Sequence, residues 1–425
     1  MSSISAAHSN SLISYSLPPG KILPLLFHDL SKEKLHLFYR DISIPYVLCY
    51  AHALHHIFIR RRKDIRMRRL GDLARVASLL TIFAMLLTAC GSTGGTTSGS
   101  NGNTSSNSQS AKKVALVTDI GGLNDNGFNH LSYTGYSKAK AQYGFPEKVI
   151  QTQSQNDYVT NLTLAAQSSD LVIVVGFLMN TPLDQVAKQF PNKKFATVDG
   201  CATAAGASNC ESLPNVAPLL FKEQEAGCLV GAIAGQMELD GKAKIPQLLG
   251  KNTVGVVGGQ SIPPVNRYAA GFKYCAQKVD PNINVLINYS QDFTNPAKCK
   301  DVALSQINQH QADIIFQLAG GCGVGALDAA DQKGVFGIGG DADQSYLHAS
   351  VITSAMKRVD TAVYDTIRDF EDGKFTNNPP KFDLAHDGVG YAPPSKDVPA
   401  DAKQKAEEFA AQIKSGALVP PENIP

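Results

Sequence analysis

From Lys113 onward, short apolar runs rich in β-branched residues alternate with stretches whose apolar positions recur every three or four residues. The first runs are KVALVTDI (113–120), KVIQTQ (148–153), LVIVVG (171–176) and KFATVDG (194–200), with intervening helices expected to reach Tyr143 before Gly144, Ser169 and Phe190. Strand then helix, repeated, is the pattern of a parallel sheet covered on both faces. A second set follows: TVGVVGG (253–259), a helix from Ala269 to Val279, NVLINYS (284–290), a helix from Pro296 to Gln309, ADIIFQLA (312–319), a helix around Gly325 to Lys333, and FGIGGDAD (336–343). The pattern predicts an α/β protein of two doubly wound, Rossmann-like lobes, with a cleft between them at the carboxyl ends of the strands. VITSAMKRVD (351–360) reads as a strand entering a helix that continues to Asp372, and the last helix spans Ala400 to Lys414. Crossings between the lobes are expected at Phe221, at Ser354 and near Asn377 to Pro380. They assign 112–221 plus 356–378 to the N-terminal lobe and 222–355 plus 379–420 to the C-terminal lobe.

The chain upstream of Lys113 has a different character. Arginines around Met67 are followed by an apolar run from Leu73 to Leu87 and by Leu87-Thr88-Ala89-Cys90, the layout of an export signal whose end resembles a bacterial lipobox. Residues 67–89 are expected to be a lipoprotein signal peptide and Cys90 the lipidated residue. Gly91 to Ala111 are small and polar and cannot build a core. As a tether of 21 residues they would span roughly 25 Å. Residues 1–66 show no sustained period, and their apolar stretch from Ile42 to Ile59, broken by Pro45 and three histidines, is marginal for a ~30 Å hydrocarbon core. They are expected to be an upstream extension from a start assigned before Met67. The expected location is therefore the outer face of the cell membrane, through lipid on Cys90.

Charge excludes one class of partner. Residues 1–89 carry 12 basic and 5 acidic side chains, leaving 27 and 32 downstream, so the formal net charge of +2 belongs to the leader. A mildly acidic mature chain without a basic stripe has no electrostatic footprint for nucleic acid.

Six cysteines fall in the folded part, none at the C-x-x-C spacing of a zinc or redox site. An exported chain with an even number permits disulfides. Cys201 and Cys210 flank the loop ATAAGASN and could close it, while Cys275 with Cys299 would tie a helix to the segment beyond the next strand. Buried free thiols are the alternative. No metal site and no cofactor are expected.

Candidate chemistry gathers at strand ends. The loop after the first strand, DIGGLNDNGFN (119–129), offers Asn124, Asp125 and Asn126 as helix caps and places Phe128 in the first helical turn. An aromatic face ringed by amides and a carboxylate suits a heterocycle. Asp199, Asp292 with Phe293, and Asp341 with Asp343 occupy other strand ends, where carboxylates can accept hydrogen bonds from sugar hydroxyls. Any one of them could instead be a turn cap. The chain has no G-x-S-x-G elbow, P-loop or H-E-x-x-H. A nucleophile at Cys322 within GGCG, or glycoside hydrolysis by paired Asp residues, finds no further support, so the expectation is a binding protein and not an enzyme.

TDIGGLNDNGFN (118–129), VVGFLMNTPLDQVAKQFPNKKFATVDG (174–200), NVAPLLFKEQEAG (215–227), VGVVGGQSIPPVNRYAAGF (254–272), DFTNPAKCK (292–300), ADIIFQLAGGCGVG (312–325), GIGGDADQ (337–344) and GVGYAP (388–393) together resemble the basic membrane protein (PnrA-like) lipoproteins over about 112–415. The resemblance implies a type I periplasmic-binding-protein fold with a three-crossover hinge. It implies a monomer that captures a purine nucleoside and delivers it to the permease and ATPase of an ABC transporter. Position by position, it implies that Phe128 and Phe293 stack on the base, that Asn124, Asp125 and Asp199 meet the base edge, and that Asp341 and Lys357 hold the ribose. Family members commonly have small residues or threonine where this chain has Cys322. The same fold could serve a ligand-sensing receptor, and a nucleoside hydrolase is the enzymatic alternative.

Overall fold

The computed structural model describes residues 112–425; the expected upstream extension (1–66), signal peptide (67–89), lipidated Cys90 and tether (91–111) lie outside the described residues. Eleven strands and nine helices are present among them. The first sheet has the order β2-β1-β3-β4-β5, with β1 at Val114–Thr118, β2 at Val149–Gln151, β3 at Leu171–Val175, β4 at Lys194–Val198 and β5 at Val216–Leu219, all parallel. The second has the order β11-β10-β9-β8-β6-β7, with β6 at Thr253–Gly258, β7 at Asn284–Tyr289, β8 at Ile314–Leu318, β9 at Phe336–Asp341, β10 at Val351–Lys357 and β11 at Val389–Tyr391. Only β11 runs antiparallel, against β10. Strands such as VALVT and LVIVV are buried along their whole length because helices cover both faces, which is why they read as unbroken apolar runs.

Alternate strand residues feed separate cores. In the first sheet, Leu116 and Ile173 face α1 (Phe128–Tyr143) and α8 (Val359–Glu371), whereas Val117 and Val174 face α2 (Tyr158–Ser168) and α3 (Asn180–Gln189). In the second, Val256 and Phe316 face α4 (Glu223–Lys244), α5 (Pro263–Val279) and α9 (Ala400–Lys414), and Val257 and Ile315 face α6 (Pro296–His310) and α7 (Gly320–Lys333).

Helix α4 had no counterpart in the sequence reading. Its first sixteen residues are buried almost without interruption, so it shows no polar face and no 3.6-residue period. Gly227, Gly231 and Gly235 give it a smooth edge against α5, where a Cβ would stand 2.2, 2.3 and 2.7 Å from the carbonyl oxygens of Tyr268, Phe272 and Ala276. Cys228 and Cys275 bridge the same two helices.

The disulfides are Cys201–Cys210, Cys228–Cys275 and Cys299–Cys322. The expected tie between Cys275 and Cys299 is therefore corrected: α5 and α6 lie on opposite faces of the second sheet, and each cysteine meets a partner on its own face.

Three segments join the lobes. Phe221, between β5 and α4, pairs with Phe382 in an isolated bridge, and their rings stack with centroids 4.9 Å apart. Arg358, between β10 and α8, donates its N–H to Gly388 O at 2.9 Å. The third segment runs from Asp372 to Gly388 and carries Phe382. The second crossing thus lies at Arg358 and not at Ser354, which sits inside β10. Thr353 and Ser354 do not break the strand because both are used within the sheet, Thr353 Oγ1 donating to Ala392 O at 2.7 Å and Ser354 Oγ accepting from Gln344 N at 3.1 Å.

Candidate functional site

The carboxyl ends of both parallel sheets face a half-enclosed cavity holding about 640 Å³ of empty space, part of it open to solvent. Parallel strands deliver their last residues to one edge, so the residue that follows each strand is aimed into the gap. Asp119, Asp199 and Asp341 occupy that position after β1, β4 and at the end of β9, and all three line the cavity. Asp199 and Asp341 hold left-handed backbone angles, φ 63° and 65°. A carboxylate-bearing residue tolerates that region better than a bulky one, and the geometry turns each side chain out of the sheet.

At the hinge end these acids converge on a buried lysine. Lys357 Nζ lies 2.5 Å from Asp199 Oδ2, 3.4 Å from Asp341 Oδ1 and 3.7 Å from Glu223 Oε1. The same ammonium stands 4.9 Å from the Phe128 ring centroid and 5.5 Å from those of Phe221 and Tyr268, within cation–π range. Burial works against its charge, but Asp199, Asp341 and Glu223 outweigh it and hold the lysine above its ordinary pKa. Burial pushes the Asp199 carboxyl upward, opposed by Lys357. Arg267 balances Glu223 with Nε at 2.6 Å, and Tyr268 Oη donates to Asp341 Oδ1 at 3.1 Å. Asp199 Oδ1 is buried and has no hydrogen-bond partner. A buried acceptor without a donor is costly.

The far end is built on β1 and α1. Asp119 Oδ1 accepts from Gly121 N at 2.9 Å and from Asn129 Nδ2 at 2.8 Å, while burial pushes this carboxyl up to about 6. Asn129 Oδ1 is a second buried acceptor without a partner. Gly176, at φ 115°, passes so close that a Cβ there would sit 2.8 Å from Asp119 Oδ2. Phe128 opens α1 and lines the cavity from the first lobe. Phe293 lines it from the second, resting on Gly259, where a Cβ would stand 2.2 Å from the ring. Its backbone is fixed by Cys322 N donating to Phe293 O at 3.0 Å.

Six of the seven expected residues, Asp125, Phe128, Asp199, Phe293, Asp341 and Lys357, line this cavity. Asn124 does not; it is exposed at the mouth. Asp125 lines the wall, yet its oxygens are occupied, Oδ1 by Gly127 N and His130 N at 3.1 Å and Oδ2 by Asn129 N at 2.7 Å, so it serves the start of α1. Asp199 joins the hinge cluster rather than the Asp119 end. Asp292 and Asp343 are turn caps: Asp292 accepts from Thr294 N, Asn295 N and Lys298 Nζ, and that lysine pulls its carboxyl well below the usual range, while Asp343 accepts from Ser345 N. Asp119, Asn129 and Tyr268 line the cavity and Glu223 stands behind it, none of them singled out from sequence. Asp119 carried the same strand-end signal as Asp199 and Asp341; Tyr268 and Glu223 arrive from helices and carried none.

Among the described residues no group of three or more His, Cys, Asp or Glu side chains is placed to hold a metal ion, and no helix is long and apolar enough to cross a membrane. The arrangement offers flat apolar walls in the middle, a charged cluster at one end, and a carboxyl with an amide at the other.

Residues 112–423 match the family model described as ABC transporter substrate-binding protein PnrA-like. A lipoprotein of Pyrococcus horikoshii is 34% identical over 292 residues, covering 66% of this chain and 68% of that protein. The CD4+ T-cell-stimulating antigen of Listeria monocytogenes is 31% identical over 82% of this chain and 98% of its own length, and the ABC transporter nucleoside-binding protein BmpA of Lactococcus lactis is 27% identical over 70% and 86%. Among solved structures, an ABC transporter solute-binding protein of Aeropyrum pernix superposes with a TM-score of 0.65 at 27% identity, covering 73% of this chain and 94% of that one. The architecture is the type I periplasmic-binding-protein fold, and the chain belongs to the PnrA-like family of ABC transporter substrate-binding proteins.

Proposed function

We propose that this protein captures a purine nucleoside between its lobes at the outer face of the membrane and passes it to an ABC permease driven by a cytoplasmic ATPase, without making or breaking a bond. The base lies between Phe128 and Phe293, at ~1–3 kcal/mol per stack by analogy with bases on aromatic side chains. Asp119 and Asn129 meet the base edge. Asp341, Asp199 and Lys357 hold the ribose hydroxyls, the two carboxylates as hydrogen-bond acceptors.

The observation that carries this reading is the Lys357 cluster beside an aromatic wall, which pairs a surface for a flat ring with acceptors for a polyol. Three carboxylates face two cations there, so a 5′-phosphate would add negative charge to a site already in excess of it. Nucleosides rather than nucleotides are the expected cargo. Closure of the lobes on the ligand shifts an open–closed equilibrium. Anchoring through lipid on Cys90 as a monomer accords with three disulfides, which persist in oxidising compartments, and with relatives that are named lipoproteins.

Titration calorimetry against inosine, adenosine, guanosine, ribose and amino acids tests it. Nucleoside binding that weakens more than tenfold, ~1.4 kcal/mol, in Phe128→Ala and Asp341→Ala is expected. Preference for a free sugar or an amino acid would overturn the substrate assignment.

A further inference from the structure

A second space adjoins the cavity at the mouth of the cleft, with about 740 Å³ of empty space, much of it open to solvent, and walls from both lobes. It shares Gly121 and Gly321 with the inner cavity. Those two glycines border both spaces and send no side chain into either. At Gly321 a Cβ would be in ordinary van der Waals contact with Phe293 O at 3.5 Å and Asp125 Cα at 3.8 Å, so a side chain there would fill the border.

The direction of a bound nucleoside follows from where charge lies, on the nucleoside reading above. Its ribose belongs with Lys357, Asp199 and Asp341 at the hinge, so the edge of its base points the other way, toward Asp119, Asn129 and Gly121. Gly121 is where the outer space begins. We propose that this outer space is a second subsite, taking a neutral substituent on the pyrimidine edge of the purine, so that N6-substituted and 2-substituted nucleosides are ligands as well as the simple ones.

The lining fits that chemistry. Leu123, Pro296 and Val324 offer apolar contact, and Asn124, Gln151 and Thr294 offer uncharged polar groups; none of the lining side chains is ionised. The walls are held across the cleft by Asn126, whose carbonyl accepts from Gln344 Nε2 at 3.1 Å and whose Oδ1 accepts from Tyr346 Oη at 3.0 Å. A closed lobe arrangement that left no such room would bar any extended base.

Calorimetry on the purified protein with adenosine, N6-benzyladenosine, 2-phenylaminoadenosine and an N6-carboxyalkyl adenosine tests the subsite, together with Val324→Trp and, independently, Leu123→Trp to fill it. The native protein is expected to bind adenosine and at least one neutral substituted nucleoside within about tenfold of each other, and the acidic one at least tenfold more weakly, because Asp119 and Asp125 stand at the threshold. Either tryptophan variant is expected to keep adenosine affinity within about threefold and to weaken the substituted ligand more than tenfold. Adenosine binding with both neutral substituted ligands rejected more than a hundredfold overturns the subsite alone. So does an equal loss of plain and substituted ligands in both tryptophan variants. Failure of every nucleoside to bind overturns the nucleoside assignment and this subsite with it.

Discussion

Replacing Lys357 by Met probes the hinge cluster directly. The ammonium is 2% exposed, with carboxylate oxygens at 2.5, 3.4 and 3.7 Å. At an effective dielectric of 20, one such pair at 4 Å is worth about 4 kcal/mol of gross attraction, but desolvating the charges offsets most of it. The net consequence is set by what is left behind. Asp199, Asp341 and Glu223 would share one buried space with only Arg267 opposite them, and breaking a buried ion pair in this way typically costs about 3–5 kcal/mol. Methionine among the rings of Phe128, Phe221 and Tyr268 recovers a small part. The sign with pH is definite. Burial has already raised Asp199, and loss of the lysine raises it further. Such a penalty is absent below the unfolded carboxyl pKa of about 3.9, grows as pH rises and is complete above the folded value. Urea unfolding of Lys357→Met at pH 5 and pH 8 should therefore show a loss of about 3–5 kcal/mol at pH 8 and a smaller one at pH 5. Adding Asp199→Asn should recover much of the loss at pH 8. A deficit under about 1 kcal/mol that is the same at both pH values would show that the cluster is hydrated and refute the reasoning.

Further expectations concern other parts of the molecule. Gly231→Val, which places atoms within 2.3 Å of the Phe272 carbonyl, should destabilise by about 3 kcal/mol or more through overpacking, read as a lowered urea midpoint; an unchanged midpoint would mean that α4 and α5 separate easily. Glu238 is pushed up to about 10 by burial beside Asp313 and Asp280, so the folded protein keeps it protonated and loses stability as pH rises from about 4.5 toward 10. Glu238→Gln should flatten that slope and raise the urea midpoint at pH 9 more than at pH 5. Removing the Cys299–Cys322 bridge with Cys299→Ser/Cys322→Ser should weaken nucleoside binding in the native background and leave Phe293→Ala unaffected, because Cys322 N holds the Phe293 carbonyl; equal losses in both backgrounds would deny the coupling. Inosine affinity should fall as pH drops through about 6, where Asp119 gains a proton and loses the charge that strengthens its bond to a ring N–H. Calorimetry at pH 5 and pH 7.5 checks this, and an unchanged affinity removes Asp119 from the base edge.

Strand periodicity missed β5 and β11, which are only four and three residues long, but carried the other nine of the eleven strands, because buried central strands leave unbroken apolar runs that few other elements imitate. It failed at α4 for the opposite reason, since a helix buried on every side has no polar phase to read. The helix expected from around Gly325 begins at Gly320, and its glycines are there for packing: Gly323 and Gly325 must accommodate the Gln317 side chain and the Pro296 backbone, at 1.7 and 1.8 Å from where a Cβ would lie. Cysteine pairing was not legible where it depended on which face of the sheet each helix covers. At the site, Phe128, Phe293 and Asp341 were legible at the strand ends, and Lys357 only through the family resemblance. The occupied state of Asp125 was not, because only the fold shows that three backbone N–H groups already hold its carboxylate.

The most direct measurement is a crystal structure of the protein grown with inosine. The purine should lie between the rings of Phe128 and Phe293, with ribose hydroxyls within hydrogen-bond distance of Asp341 and Lys357. A purine found outside that gap, or a gap filled by a ligand with no ring, would contradict the account.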